Sequence, residues 1–258
     1  MEAQKNQPTP KRRLWLWVPL GILLIIGLAI GGFVLWASQP IGVAMPEAIE
    51  AAQSDEVVNV TDSNWLAFIP ATQPPKAGFI FLQGAKVEAA AYAPIAKQIA
   101  AEGYVVVIPY NLFDLAVLSP NMSDIVLESF NAVDTWAIGG HSLGGAIAAR
   151  YAGINPEEIE GLVLLGAYPA MGNMPHNDIE VLSLYATNDG FTTPEEVTQE
   201  YAEFLPSDTR YVAIEGGNHS QFGYYGLQDG DNEATISREE QTQIIVDEIV
   251  AFLEGISS

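Results

Sequence analysis

The sequence predicts an α/β protein in which a mostly parallel sheet carries helices on both faces, preceded by one N-terminal transmembrane helix. Three observations predict it. Residues 14–36 contain no charged side chain, short apolar runs alternate with helical patterns from residue 56 onward, and a G-x-S-x-G turn joins one such run to the next helical pattern. The composition agrees with a full hydrophobic core. Of 258 residues, 49% are hydrophobic and 10% aromatic, which excludes a disordered or collagen-like chain.

Other classes fall away on composition. Without cysteine there is no disulfide framework, thiolate metal site or cysteine nucleophile. Three histidines make a multi-histidine zinc centre a poor expectation, and no cofactor is implied. Ten Lys and Arg against 32 Asp and Glu give a net charge of -22, which repels a phosphate backbone, so no nucleic-acid partner is expected.

The charge is unevenly distributed. Lys5, Lys11, Arg12 and Arg13 precede residue 14, and the next charged residue is Glu47. As a helix, the 23 residues between Leu14 and Trp36 would be about 34 Å long, against a hydrocarbon core of roughly 30 Å. Trp15, Trp17 and Trp36 stand at its ends as interfacial anchors would. The alternative is a buried core helix, but such helices are seldom apolar all round. The run is longer than a signal-peptide core of about 7 to 15 residues. The nearest triplet resembling a cleavage site, Gly42-Val43-Ala44, lies several residues beyond it, which favours a retained anchor over a protein secreted after cleavage. By the positive-inside rule the N-terminus is cytoplasmic and residues 37 onward lie outside a cell membrane. The expected organisation is a cytoplasmic tail (1–13), a transmembrane helix (14–36), a linker (37–55) and an α/β domain (56–258). The first 13 residues carry +3, leaving 6 bases and 31 acids, or -25, for the rest.

Within the domain, residues 57–61 and 65–69 flank an Asp62-Ser63-Asn64 turn and predict a leading hairpin. Apolar runs at 78–82, 104–108, 135–139, 161–165, 181–185 and 211–215 suit buried parallel strands. Helices are expected at 91–101, 123–132, 143–152, 194–204 and 238–253. The fourth has a defined start, with Thr193 as cap, Pro194 in the first turn and Glu196 completing a capping box. In such a sheet, ligands bind beyond the carboxyl ends of the strands.

Gly140-His141-Ser142-Leu143-Gly144 falls between a strand and a helix, where a strained turn would lift the Ser142 hydroxyl above the sheet. The alternative is an idle serine in a glycine-rich turn. A serine nucleophile needs an imidazole to take its proton and a carboxylate to orient that imidazole. His141 adjoins Ser142, so its side chain should diverge. His176 leads into a strand at the wrong end, and His219, after the last strand, is the base by elimination. For the acid, Asp189 follows strand 181–185, although Asn188-Asp189-Gly190 also reads as a plain turn. Asp178 and Asp134 precede their strands, and Asp114 is the reserve. The oxyanion hole takes one N–H from Leu143 and a second from the loop after residues 78–82, where Gly84 permits close approach and Ala85 is the expected donor. Lys86 could attract a carboxylate-bearing substrate, against an ordinary solvated lysine. Phe222, Tyr224 and Tyr225 could wall the pocket or merely pack a loop.

These residues carry a resemblance. GGHSLGG, the aspartate after the penultimate strand, the histidine after the last, LQGAKVEAAAYAPIA, NLFDLAVLSPN, TTPEEV and GNHSQFGYYG together resemble the α/β-hydrolase superfamily. More narrowly they resemble its fold-5, dienelactone-hydrolase-like family, from about residue 57 to the end. The resemblance implies an α/β-hydrolase fold, a Ser142, Asp189 and His219 triad, and Ala85 and Leu143 as oxyanion donors. Gln83 departs from the pattern, since many members have histidine before this glycine, and about fourteen residues between Leu165 and Glu180 leave no room for a large cap. The expected activity is carboxylic ester hydrolysis on a small-molecule ester or acyl substrate. The alternatives are acyl transfer, thioester or amide cleavage on the same groups, or a non-catalytic surface binding domain.

Overall fold

The computed structural model describes residues 14–170, 174 and 179–258. The tail, His176 and Asp178 therefore lie outside the described residues. The chain divides into two units, Met1–Gln39 and Pro40–Ser258. The first contains helix α1 (Leu14–Ala37). Its segment Trp17–Ala37 is long and apolar enough to cross a membrane, a property that a signal sequence would share.

The second unit begins earlier than residue 56, because residues 40–55 are not a free linker. Ile41 and Gly42 donate backbone N–H groups to the carbonyl of Lys86 at 2.8 and 3.2 Å, and Met45 donates to Tyr224 O at 2.9 Å. Helix α2 (Pro46–Ala51) then buries Ala48 completely.

An eight-stranded sheet forms the centre: β1 (Val58–Asp62), β2 (Trp65–Pro70), β3 (Gly78–Leu82), β4 (Val105–Pro109), β5 (Trp136–His141), β6 (Gly161–Leu165), β7 (Glu180–Ala186) and β8 (Arg210–Ile214). Its order is β1-β2-β4-β3-β5-β6-β7-β8. The leading hairpin is antiparallel, β2 joins β4 antiparallel, and the remaining pairs are parallel. Each run predicted as a strand forms one, with ends shifted by no more than a residue or two.

Alternation along the buried strands separates two cores. Phe79, Phe81, Val106 and Ile108 face helices α3 (Ala93–Ala101) and α6 (Arg238–Ile256), which contribute Ile95, Ile99, Ile245 and Ile249. Ile80, Leu82, Val105 and Val107 face α4 (Met122–Ser129) and α5 (Leu143–Ile154), which contribute Val126, Ala148, Ala149 and Ala152. Because both faces are covered, the central strands are apolar throughout rather than alternating with polar residues.

Three predicted helices differ, and of these α6 simply runs three residues further than expected, to Ile256. α4 ends three residues early, where Phe130 turns to pack near Trp65 and Trp136, with ring centroids at 5.8 and 6.2 Å. Residues 194–204 do not form one α-helix. The Thr193–Glu196 capping box is present, but it leads into a π-helical turn (Glu196–Glu200) and a 3-10 turn (Ala202–Phe204). There the Tyr201 N–H reaches back five residues to Glu196 O, and its ring stacks on Tyr168 at 3.8 Å.

Chain direction across the sheet reverses at β3, since β4 pairs on one side of it and β5 on the other. Such a reversal opens a crevice beyond the carboxyl ends of the two neighbouring strands. The loops after β3 and β5 meet there.

Candidate active site

Ser142 follows the last residue of β5 and precedes the first of α5. Its backbone has φ 54° and ψ -121°, a conformation that non-glycine residues rarely adopt, as a nucleophile elbow requires. The turn is held by Ser142 N–H donating to Leu165 O at 3.0 Å and by Ala146 N–H donating to Ser142 O at 3.2 Å. It is also tightly nested against the β3 loop. A Cβ on Gly144 would stand 2.2 Å from the Leu82 carbonyl oxygen and 2.5 Å from that of Gln83, so only glycine fits. The side chain of Ser142 is only partly buried, unlike its neighbour His141.

His219 and Asp189 come from the loops after β8 and β7. His219 Nδ1 donates to Asp189 Oδ2 at 2.7 Å, and both side chains are almost wholly buried. The other carboxylate oxygen, Oδ1, accepts N–H bonds from Phe191 at 2.7 Å and Thr192 at 3.0 Å. One oxygen thus fixes the turn and the other fixes the imidazole, leaving Nε2 as the ring's remaining acceptor. Ser142 and His219 abut the same β6 turn. A Cβ on Gly166 would lie 3.2 Å from His219 Nδ1, one residue beyond the carbonyl that receives the Ser142 N–H. The rings of His141 and His219 are 4.4 Å apart.

Asp231 is a residue that the sequence reading missed. Its carboxylate accepts from Gly190 N at 3.0 Å, from Ser220 N at 2.7 Å and from Ser220 Oγ at 2.6 Å, with a longer contact to His219 N at 3.4 Å. It therefore ties the turn carrying Asp189 to the turn carrying His219. A lone aspartate twelve residues past a histidine carries no motif, so only the fold reveals it. Phe191 was also missed. It is 44% exposed and sets its ring edge-on to His219 at 4.9 Å, forming an apolar wall beside the imidazole.

On the opposite side, the loop after β3 presents Ala85. Among the described residues, neither the Ala85 nor the Leu143 N–H donates to a protein acceptor, and Leu143 opens α5, whose leading N–H groups have no partner within the helix. Both remain available to an anionic oxygen. Asp114, the reserve acid, belongs to this side and not to His219. Its Oδ1 accepts weakly from Gln83 Nε2 at 3.5 Å, and its carbonyl accepts the Lys86 N–H at 2.9 Å. Burial raises its pKa, the Gln83 bond lowers it, and the charge of Glu88 raises it further, leaving it above the ordinary carboxylate value.

Two weaker expectations are corrected. Lys86 is no solvated surface lysine: it is 4% exposed and has φ 60° at the turn after Ala85. Phe222 is completely buried and stacks on His141 at 5.5 Å, behind the histidines rather than walling an open pocket. Tyr224 and Tyr225 are buried as well.

Strand order, elbow and the loops that converge beyond the strands define an α/β-hydrolase fold. The chain belongs to the alpha/beta hydrolase family, whose family model matches residues 78–243. Its fold is similar to that of an esterase from Pyrobaculum calidifontis, at 15% identity and a TM-score of 0.60, covering 82% of this chain and 89% of the other. An esterase domain from a Rhodothermus marinus protein matches at 13% identity and a TM-score of 0.57, covering 78% and 98%. A predicted CIB-like hydrolase from Thermoplasma acidophilum matches at 17% and 0.56, covering 75% and 97%. No curated protein matches the sequence.

Proposed function

We propose that this chain is a membrane-anchored serine hydrolase that cleaves carboxylic esters, with Ser142 as nucleophile, His219 as general base and acid, and Asp189 as the group that orients it. The observation that carries this reading is the 2.7 Å bond from His219 to Asp189 beside a serine held at φ 54°. His219 Nε2 takes the Ser142 proton as the hydroxyl oxygen attacks the ester carbonyl, and Asp189 stabilises the imidazolium that results. The tetrahedral oxyanion lies between the N–H groups of Ala85 and Leu143. His219 then protonates the departing alcohol, leaving an acyl group on Ser142. Water, deprotonated by the same nitrogen, attacks that acyl group; the acid is released and Ser142 recovers its proton.

Residues 14–36 hold the protein in the membrane, with the N-terminus cytoplasmic and the acidic domain outside; the apolar run and the four preceding bases support this. The esterase similarity of the folds above supports an ester substrate, and Phe191 beside His219 supports an apolar group on it.

A panel of p-nitrophenyl esters of increasing acyl length, with matched amides and thioesters, tests the reading. The expected result is ester turnover that disappears in Ser142→Ala. Turnover confined to the amides or thioesters, or persisting in Ser142→Ala, would overturn it.

A further inference from the structure

Behind the candidate triad runs a second, fully buried set of polar contacts. Gly84 N–H donates to the Tyr92 hydroxyl at 2.9 Å, and that hydroxyl lies 3.0 Å from His141 Nδ1. Tyr92 and His141 are 0% and 1% exposed. The proton positions follow from counting donors. Burial, and secondarily the charge of His219, hold His141 well below the usual histidine pKa, so its ring is neutral. The Tyr92 oxygen already accepts from Gly84, and its one proton would be stranded in the core unless it goes to His141 Nδ1. That arrangement puts the His141 proton on Nε2, a buried atom that has no hydrogen-bond partner of normal geometry among the described residues. The backbone of His219 is the neighbour that favours a proton on this ring.

The chain of contacts begins one residue before Ala85 and ends one residue before Ser142, with the His219 ring 4.4 Å from that of His141. It is also closely fitted. A Cβ on Gly84 would lie 2.8 Å from His141 Nδ1 and 3.0 Å from the Tyr92 hydroxyl. Among the described residues, the Ala85 N–H has no protein acceptor to fix its direction. Its own peptide is held on the carbonyl side, where Gly84 O accepts the Val87 N–H at 3.2 Å, and the peptide before it is clamped by the Gly84 N–H bond to Tyr92.

From this we infer that Tyr92 and His141 are positioning residues for the oxyanion hole: through the Gly84 N–H they lock the β3 loop to the nucleophile strand, so that the Ala85 and Leu143 N–H groups share one focus. Neither touches substrate. The inference rests on the hydrolase reading above and adds a function for the histidine inside the elbow, which the proton-transfer steps leave unused.

The test uses the full-length protein in detergent micelles with p-nitrophenyl acetate, together with a trifluoromethyl ketone that forms a tetrahedral adduct on the nucleophile. Tyr92→Phe keeps the ring and removes the hydroxyl. It should lower kcat by on the order of tenfold or more, leave KM within about twofold, and weaken the ketone by the same factor as kcat/KM. His141→Asn sets an amide oxygen near the former Nδ1 and should retain most of the activity, whereas His141→Leu should fall with Tyr92→Phe. A folded Tyr92→Phe protein with wild-type kcat and ketone affinity would overturn the inference. If that variant does not fold, the Asn and Leu variants decide, and equal activity in the two would overturn it. Wild-type protein that turns over no ester and binds no ketone would sink the hydrolase reading itself, and the inference with it.

Discussion

The two sides of the candidate site are held by different chemistry. On the base side carboxylates do the holding. Asp189 fixes His219 and its own turn, and Asp231 gathers donors from both loops. On the oxyanion side neutral side chains hold Gln83 and Gly84, beside a weak 3.5 Å contact from Gln83 to the Asp114 carboxylate. Gln83 Oε1 accepts from Asn111 Nδ2 at 2.8 Å, and Tyr92 joins Gly84 to His141. Left-handed backbone at Lys86, Phe113 and Asp114 completes that side. The contrast matches the charge that each side would meet in the proposed mechanism. There an imidazolium would develop at His219, which nearby carboxylates stabilise, while negative charge would develop over Ala85 and Leu143, which an ionised carboxylate would oppose. Asp114, whose carboxylate contacts Gln83 in that loop, is an acid whose burial disfavours ionisation.

The largest expected effect lies on the base side. Asp189→Asn should lower kcat about 10⁴-fold, because an amide in that place favours the wrong tautomer of His219. A loss below tenfold in steady-state assays would break the comparison, since it would mean that the imidazole is oriented by something else. Asp231→Asn removes charge but keeps size. It should cost on the order of tenfold in kcat and about 1 to 3 kcal/mol of stability, measured by ester turnover and urea unfolding.

The oxyanion side should declare itself through pH. Above about pH 6.5, His141 is neutral both folded and unfolded. Below that, the unfolded chain binds a proton that the buried ring refuses, because its folded pKa is depressed, so stability is lost as the pH falls. The loss from this one group can reach about 1.4 kcal/mol per pH unit. Urea unfolding of wild type and His141→Asn between pH 7 and 5 should therefore show a shallower decline in the variant. Parallel curves would mean that His141 is protonated in the fold. The smallest effect belongs to the first turn of α6, where, among the described residues, the Ser237 side chain bonds only within its own helix. Ser237 caps α6 through a box with Glu240, and Ser237→Ala should cost about 1 kcal/mol in thermal unfolding with kcat unchanged.

The same contrast explains what was legible in the sequence. Strands β3 to β7 could be read because burial on both faces demands unbroken apolar runs, and Ser142 could be read because its turn demands glycines at fixed spacing. That His219 and Asp189 would meet followed from chain order and strand ends. What escaped the reading depends on contacts between distant segments. Asp231 acts across 41 residues on Gly190, and Tyr92 across 49 on His141. Lys86 reads as a surface lysine because nothing in QGAKVE announces that residues 41 and 42 will hydrogen-bond to its carbonyl and cover the turn. The break in the helix predicted at 194–204 likewise reflects a tertiary contact, between Tyr201 and Tyr168, that outweighs a correct cap.

The most direct measurement of the central claim is covalent labelling by a fluorophosphonate, followed by peptide mass mapping, in wild type, Ser142→Ala and His219→Ala. The account predicts one adduct, on Ser142, absent from the first variant and formed far more slowly in the second. Folded wild-type protein that takes no label, or takes it on another residue, would contradict it.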